Sequence, residues 1–108
     1  MPDQTVQITF TAPNTFTFDK PTVTMGAAGK IVLHRSPGNA DWTFVRVNEL
    51  PSPEYTWTIT GNGSGAQIND GHTRNGGSHY TVTVLQNGVE YTSRNVATAT
   101  VPPMIMNQ

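Results

Sequence analysis

The sequence predicts a single all-β domain, an antiparallel β-sandwich, on three observations. Apolar and polar residues alternate over short segments, which is typical of strands with one buried face. Glycine, proline and asparagine recur about every ten residues, a spacing that favours sandwiches and barrels. Charged residues make up 12% of the 108-residue chain, about half the usual share. Threonine supplies much of the missing polar surface, and its β-branched side chain suits a pleated sheet.

The alternation predicts about eight or nine short strands, which together place the whole chain, 1–108, in one domain. The alternating segments are residues 4–11, 16–18, 23–25, 30–35, 42–47, 55–59, 66–68, 80–84, 89–91 and 96–101. In 42–47 the apolar phase breaks after Phe44, which predicts a bulge or a strand switch. Asn87-Gly88 between two alternating segments predicts a tight hairpin. Since each strand has one apolar face, two sheets are expected to pack face to face.

Two stretches of the chain resemble the DP-EP family, a group of small bacterial sandwich domains. Residues 16–25 (FTFDKPTVTM) and 29–33 (GKIVL) are similar to the N-terminal half of that family. Residues 80–84, 88–93 and 103–107 are similar to its C-terminal half. The resemblance implies an immunoglobulin-like fold and carries no known activity or site residue. The opening of the chain also resembles cupredoxins, so a cupredoxin-like topology is the alternative.

Composition excludes several classes of function. The formal net charge is −1 and the six basic residues are scattered, whereas a nucleic-acid surface needs clustered lysine and arginine. The absence of cysteine removes disulfides, thiol catalysis and the thiolate of a blue-copper centre. No apolar run has the length of a membrane span, so no membrane partner is expected. The start of the chain lacks the features of a signal peptide, which predicts a cytoplasmic protein or a secreted one without its leader.

One loop carries residue types that bind metals. Asp70, His72 and His79 would converge on a divalent ion if the glycine-rich segment between them closed as a hairpin. Their spacing matches no established ligand motif, and a solvated loop is the competing interpretation. Nucleophile and phosphate-loop patterns are absent, and nothing in the sequence brings two carboxylates together for acid–base chemistry. The sequence therefore predicts neither an enzyme nor a cofactor.

Association is the function that the sequence favours. Low charge leaves sheet edges unprotected, and the tail with Pro103, Met104 and Ile105 is apolar and extended, so it either packs along an edge or contacts a partner. We expect a non-enzymatic interaction or structural module that binds itself or another protein. The alternative is a carbohydrate-binding module in which Trp42, Trp57 and Tyr91 stack on sugar rings instead of filling the core. A metal-binding loop is the third hypothesis.

Overall fold

The computed structural model describes residues 3–11, 15–39, 41–93 and 103–108, and within them nearly all regular structure is β. A 3-10 turn, Gly61–Gly63, lies between two of the strands. The described strands are β1 (Gln4–Thr11), β2 (Thr15–Phe18), β3 (Thr22–Met25), β4 (Gly29–Arg35), β5 (Thr43–Asn48), β6 (Tyr55–Thr60), β7 (Gly65–Asp70), β8 (Gly76–His79), β9 (Thr81–Gln86), β10 (Val89–Thr92) and β11 (Met104–Asn107). The strand predicted at 96–101 lies outside the described residues.

The strands form three sheets that pack as a sandwich. Their orders are β2-β1-β4-β7-β6, β10-β9-β5 and β3-β11-β8. Only Tyr80 separates β8 from β9, so the chain passes directly from one three-stranded sheet into the other. The all-β sandwich predicted from the sequence is confirmed.

Strand direction differs from the prediction in two places. β1 pairs with β4 in parallel, and β3 pairs with β11 in parallel, whereas the other described ladders are antiparallel. The path of the chain explains the first case. After β1 the chain returns as β2, continues into the other sheet as β3 and comes back as β4, so β4 runs in the same direction as β1. Parallel neighbours need such a long connection.

One hydrophobic core lies between the sheets, and strands of all three sheets contribute to it. In β1, β4 and β7 every second residue is buried, as the period of two along a strand requires. The side chains that are fully buried and apolar in these three strands are Val6, Ile8, Phe10, Ile31, Leu33, Ala66 and Ile68. The alternation seen in the sequence therefore identifies the core-facing side correctly. No helix among the described residues is long and apolar enough to cross a membrane.

Two local predictions are confirmed. The β5–β9 register shifts between Phe44 and Arg46, which is the irregularity that the break in apolar phase predicted. β9 and β10 pair as an antiparallel hairpin, with positive φ at both Asn87 and Gly88. These two residue types enter that region at low cost, so the Asn-Gly pair determines the turn.

The tail is the main departure from expectation. β11 lies between β3 and β8 and hydrogen-bonds to both, so it is the central strand of its sheet and lies on no edge. Its partner β8 was predicted as a loop because Gly76-Gly77 has low strand propensity. Long-range pairing with β11 overrides that local preference.

Candidate functional site

The three aromatic residues predicted as a stacking surface lie in different environments. Trp42 is 1% exposed, packs edge-on against Phe10 and Phe44 and donates its indole N–H to Asn39 Oδ1 at 2.7 Å. Tyr91 packs against the core, with its ring centroid 5.1 Å from that of Phe10. Trp42 is therefore a core residue, which corrects its assignment as a ligand contact, and Tyr91 is not a free platform.

Trp57 is the exposed member of the three, with 41% of its surface accessible. It lies on β6, the last strand of the five-stranded sheet. Its register partner on β7 is the buried Ile68, and directly opposite residues share a face. The indole therefore lies on the core side of the sheet but at its margin. Ile59, two residues further along the same face, packs against the core.

The amides near Trp57 lie on the other face of the sheet. Gln67 and Asn69 on β7 are opposite Thr58 and Thr56, so they share the outer face with these threonines. A sugar site needs aromatic rings and hydrogen-bonding groups on the same surface. The arrangement around Trp57 separates them.

The three residues of the predicted metal loop are not brought together. The Asp70 carboxylate is buried and accepts the His72 backbone N–H at 2.8 Å, while His72 Nε2 lies 3.0 Å from the Met25 carbonyl oxygen. His79 is an exposed residue of β8, where it pairs with Met104. No group of three histidine, cysteine, aspartate or glutamate residues in the described ranges could hold a metal ion. The prediction of an Asp70, His72 and His79 site is therefore wrong.

The predicted association segment at the C-terminus is also unavailable. Ile105 is fully buried, Pro103 is buried and its carbonyl accepts the Tyr80 N–H at 3.1 Å, and Met104 pairs with strands on both sides. A central strand has no unpaired backbone edge to offer a partner. The assignment of Pro103, Met104 and Ile105 to self-association is corrected for this reason.

A buried polar cluster, which the sequence did not predict, closes one end of the sandwich. It consists of Glu54, Asp70 and Asn107, which are 6%, 2% and 3% exposed. The Asn107 amide Nδ2 lies 3.0 Å from Glu54 Oε2, 3.1 Å from Asp70 Oδ1 and 3.3 Å from the Arg74 carbonyl oxygen. One amide nitrogen thus connects the last strand to β7, to the segment before β6 and to the loop before β8.

Glu54 also fixes the loop that follows β7. Its carboxylate accepts the backbone N–H of Thr73 at 3.0 Å and that of Arg74 at 3.4 Å, and it accepts the Thr73 hydroxyl. No side chain of the described residues forms an ion pair with Glu54 or Asp70. Two clefts, of about 230 and 280 Å³, lie beside the cluster, and both are lined by Glu54 and Arg74.

Two oxygens of this cluster have no hydrogen-bond partner among the described residues. They are Asp70 Oδ2 and Asn107 Oδ1, and both are fully buried. Buried polar atoms are nearly always paired, so each of these two oxygens is an exception that needs an explanation.

Two tyrosines near the ends of the strands have perturbed acidities. Burial is the main cause that raises the pKa of Tyr55; the carboxylates of Asp70 and Glu54 raise it further, and a hydrogen bond with Ser78 opposes them. Burial raises the pKa of Tyr80 well above its usual value, and the Tyr80 hydroxyl has no hydrogen-bond partner in the described structure. Both phenols are therefore held in the neutral form.

The chain was compared with protein-family models and with curated protein sequences. No protein-family model matches the chain, and no curated protein sequence matches it significantly. The function must therefore be argued from the two features described above, the edge strand with Trp57 and the buried polar cluster.

Proposed function

We propose that this protein is a non-enzymatic interaction module that self-associates by pairing the β6 edges of two copies. The observation that carries the proposal is the 41% exposed Trp57 on β6, which ends its sheet among the strands that the structure describes. An exposed edge strand with large apolar side chains is a template for another strand. This proposal keeps the expected class of function, and of the two expected contacts, a sheet edge or the tail, it keeps the edge.

The sequence of β6, YTWTIT, lacks the usual protection of an edge. Natural edges are blunted by charge, proline, bulges or short length, and Tyr55–Thr60 has no charge, proline or glycine. The edge strand β10 differs, because its Glu90 forms a 2.8 Å ion pair with Arg46 of β5, the other edge of that sheet. β3 is uncharged like β6, but its two large side chains are buried.

A second copy is the occupant that fits this edge. Two β6 strands related by a two-fold axis would pair antiparallel, so that the same residues meet from both sides. No charge on β6 opposes this pairing, and the net charge of the chain, −1, gives little repulsion between copies. The result would be a continuous sheet across the dimer, with the two Trp57 side chains on the same face.

A fold assignment accompanies this proposal. Similarity to the DP-EP family supports a small bacterial sandwich protein. An immunoglobulin domain is built from two antiparallel sheets, whereas β1–β4 and β3–β11 are parallel here. The parallel ladders favour the cupredoxin-like alternative for the topology, without the cysteine that cupredoxin copper chemistry needs.

The test is the molar mass of the full chain in solution, measured by light scattering after size exclusion. We compare Trp57→Lys with Val89→Lys, since Val89 is 49% exposed and also lies on an edge strand. We expect a dimer for the wild type and for Val89→Lys, and a monomer for Trp57→Lys. A wild-type monomer at about millimolar concentration, well above typical dissociation constants, would refute the proposal. A dimer broken by Val89→Lys and unaffected by Trp57→Lys would move the interface to β10.

A further inference from the structure

The environment of the Asn107 amide is unusual. Its Nδ2 atom has three oxygen neighbours at 3.0 to 3.3 Å, but an amide nitrogen carries two hydrogens. One of the three acceptors therefore receives no hydrogen from the amide, although Glu54 Oε2 also accepts the Thr73 N–H and Asp70 Oδ1 also accepts the His72 N–H. At the same time the other end of the amide, Oδ1, is buried without a donor. The position occupied by Nδ2 is thus surrounded by more acceptor oxygens than an amide can satisfy.

The cluster also has an excess of negative charge. Buried carboxylates are usually paired with a basic side chain or coordinate a metal. Glu54 and Asp70 are both more than nine-tenths buried, and no basic side chain in the described ranges forms an ion pair with either. Asp70 Oδ2 is unpartnered as well. A cation would compensate both carboxylates and provide a partner for Asp70 Oδ2.

We propose that Glu54, Asp70 and Asn107 form a binding site for a hard divalent cation of calcium's size. Rotation of the Asn107 amide would place Oδ1 where Nδ2 now lies, and the two ends of an amide have nearly the same shape. The ion would then face oxygens from two carboxylates, one amide and the Arg74 carbonyl. Calcium accepts such a mixed oxygen set in a flexible geometry. This inference is independent of the association proposed for β6.

Water would complete the coordination. Calcium takes six to eight oxygens, which is more than these four groups supply unless both carboxylates bind through two oxygens. The cleft of about 230 Å³ lined by Glu54, Arg74 and Gly76 provides access for solvent. With few charged ligands we expect a weak site, with a dissociation constant of about 10⁻⁴–10⁻³ M. A buried water bonded to Asp70 Oδ2 is the competing occupant.

The first experiment is thermal unfolding of the full chain in EDTA and in about 10 mM calcium chloride, a concentration well above the expected dissociation constant. We expect calcium to raise the melting temperature of the wild type by about 5 °C or more. Glu54→Gln removes one ligand charge and should lose this shift. Asp41→Asn is the control. Asp41 is exposed and does not belong to the cluster, so this variant should keep the shift.

Asn107→Asp separates the cation from a bound water. A third carboxylate at this position should lower the melting temperature in EDTA, because three like charges then meet in a buried site. Calcium should restore more stability than it adds to the wild type. A wild-type melting temperature that calcium leaves unchanged would overturn the proposal, as would a shift of equal size in Glu54→Gln. A loss in Asn107→Asp that calcium does not reverse would assign the position to water.

Discussion

Strands β6 and β11 are similar in amino-acid composition, but one lies at the end of its sheet and the other in the middle. Both are short, uncharged and rich in large side chains, YTWTIT and MIMN. β11 lies in the middle of its sheet and buries Ile105 completely. β6 ends its sheet and leaves Trp57 exposed. Local sequence does not separate the two cases, because the number of neighbours of a strand depends on segments far away in the chain.

The partners of β11 explain its position. It pairs with β3, about 80 residues earlier in the chain, and with β8, so both of its edges are hydrogen-bonded. β6 has a single described partner, β7, which follows it directly. The comparison predicts that β11 carries stability, whereas β6 carries association.

The largest expected effect is the loss of packing at β11. Replacing Ile105 by Ala should lower the free energy of unfolding by about 3–4 kcal/mol, because a fully buried isoleucine leaves a cavity. The matched change Ile59→Ala on β6 should cost about 1–2 kcal/mol, since Ile59 is half-buried and loses less buried area. Urea unfolding of both variants measures the difference. Equal losses would contradict the contrast between the two strands.

The polar end of β11 should give the next largest effect. Asn107→Ala removes the donor between Glu54 and Asp70 and should cost about 2–3 kcal/mol, because two hydrogen bonds to buried charged groups are lost. Asn69→Ala is the control beside β6. Its amide makes an exposed hydrogen bond to Thr56 at 3.4 Å, and its loss should cost no more than about 0.5 kcal/mol. If both asparagine variants unfold at the same urea concentration, the cluster does not stabilise the end of β11.

The limits of the sequence prediction follow from the same contrast. Alternation identifies β1, β4 and β7 and their buried faces, because one face of each strand meets a continuous core. It does not identify β8, where Gly76-Gly77 gives no pattern. The polar cluster is also invisible, since Glu54 and Asn107 are 53 positions apart in the sequence and form no local motif. The signal that was available is the period of two in the tail, which places Asn107 on the same face as Ile105 once β11 is treated as a strand.

Alkaline pH should produce a smaller effect next to β11. Tyr80 donates its backbone N–H to Pro103, and burial raises the pKa of its phenol. The pKa of this phenol is near 10 in the unfolded chain and higher in the folded protein. Its contribution to stability is therefore complete below about pH 10 and is lost as the pH rises from there toward the folded-state pKa. Tyr80→Phe should therefore flatten the decline in the free energy of unfolding above pH 10.

The same variant has a defined outcome at neutral pH. Because the Tyr80 hydroxyl has no partner in the described structure, its removal should change the free energy of unfolding by no more than about 1 kcal/mol. Tyr55 remains, and its raised pKa should account for the part of the alkaline decline that persists. Urea unfolding from neutral to alkaline pH measures both. An unchanged decline in Tyr80→Phe would show that its phenol ionises without unfolding.

The smallest effect on stability is expected at Trp57, where the effect on association is expected to be greatest. In dilute solution Trp57→Lys should change the free energy of unfolding by no more than about 0.5 kcal/mol, as for other surface substitutions. At higher concentration the wild type should gain stability through dimer formation, because a partner that binds the folded state stabilises it by mass action. The variant should show no such dependence on protein concentration. A loss of several kcal/mol in the dilute variant would instead mean that the indole packs into the core, and β6 would then resemble β11 in role as well as in sequence.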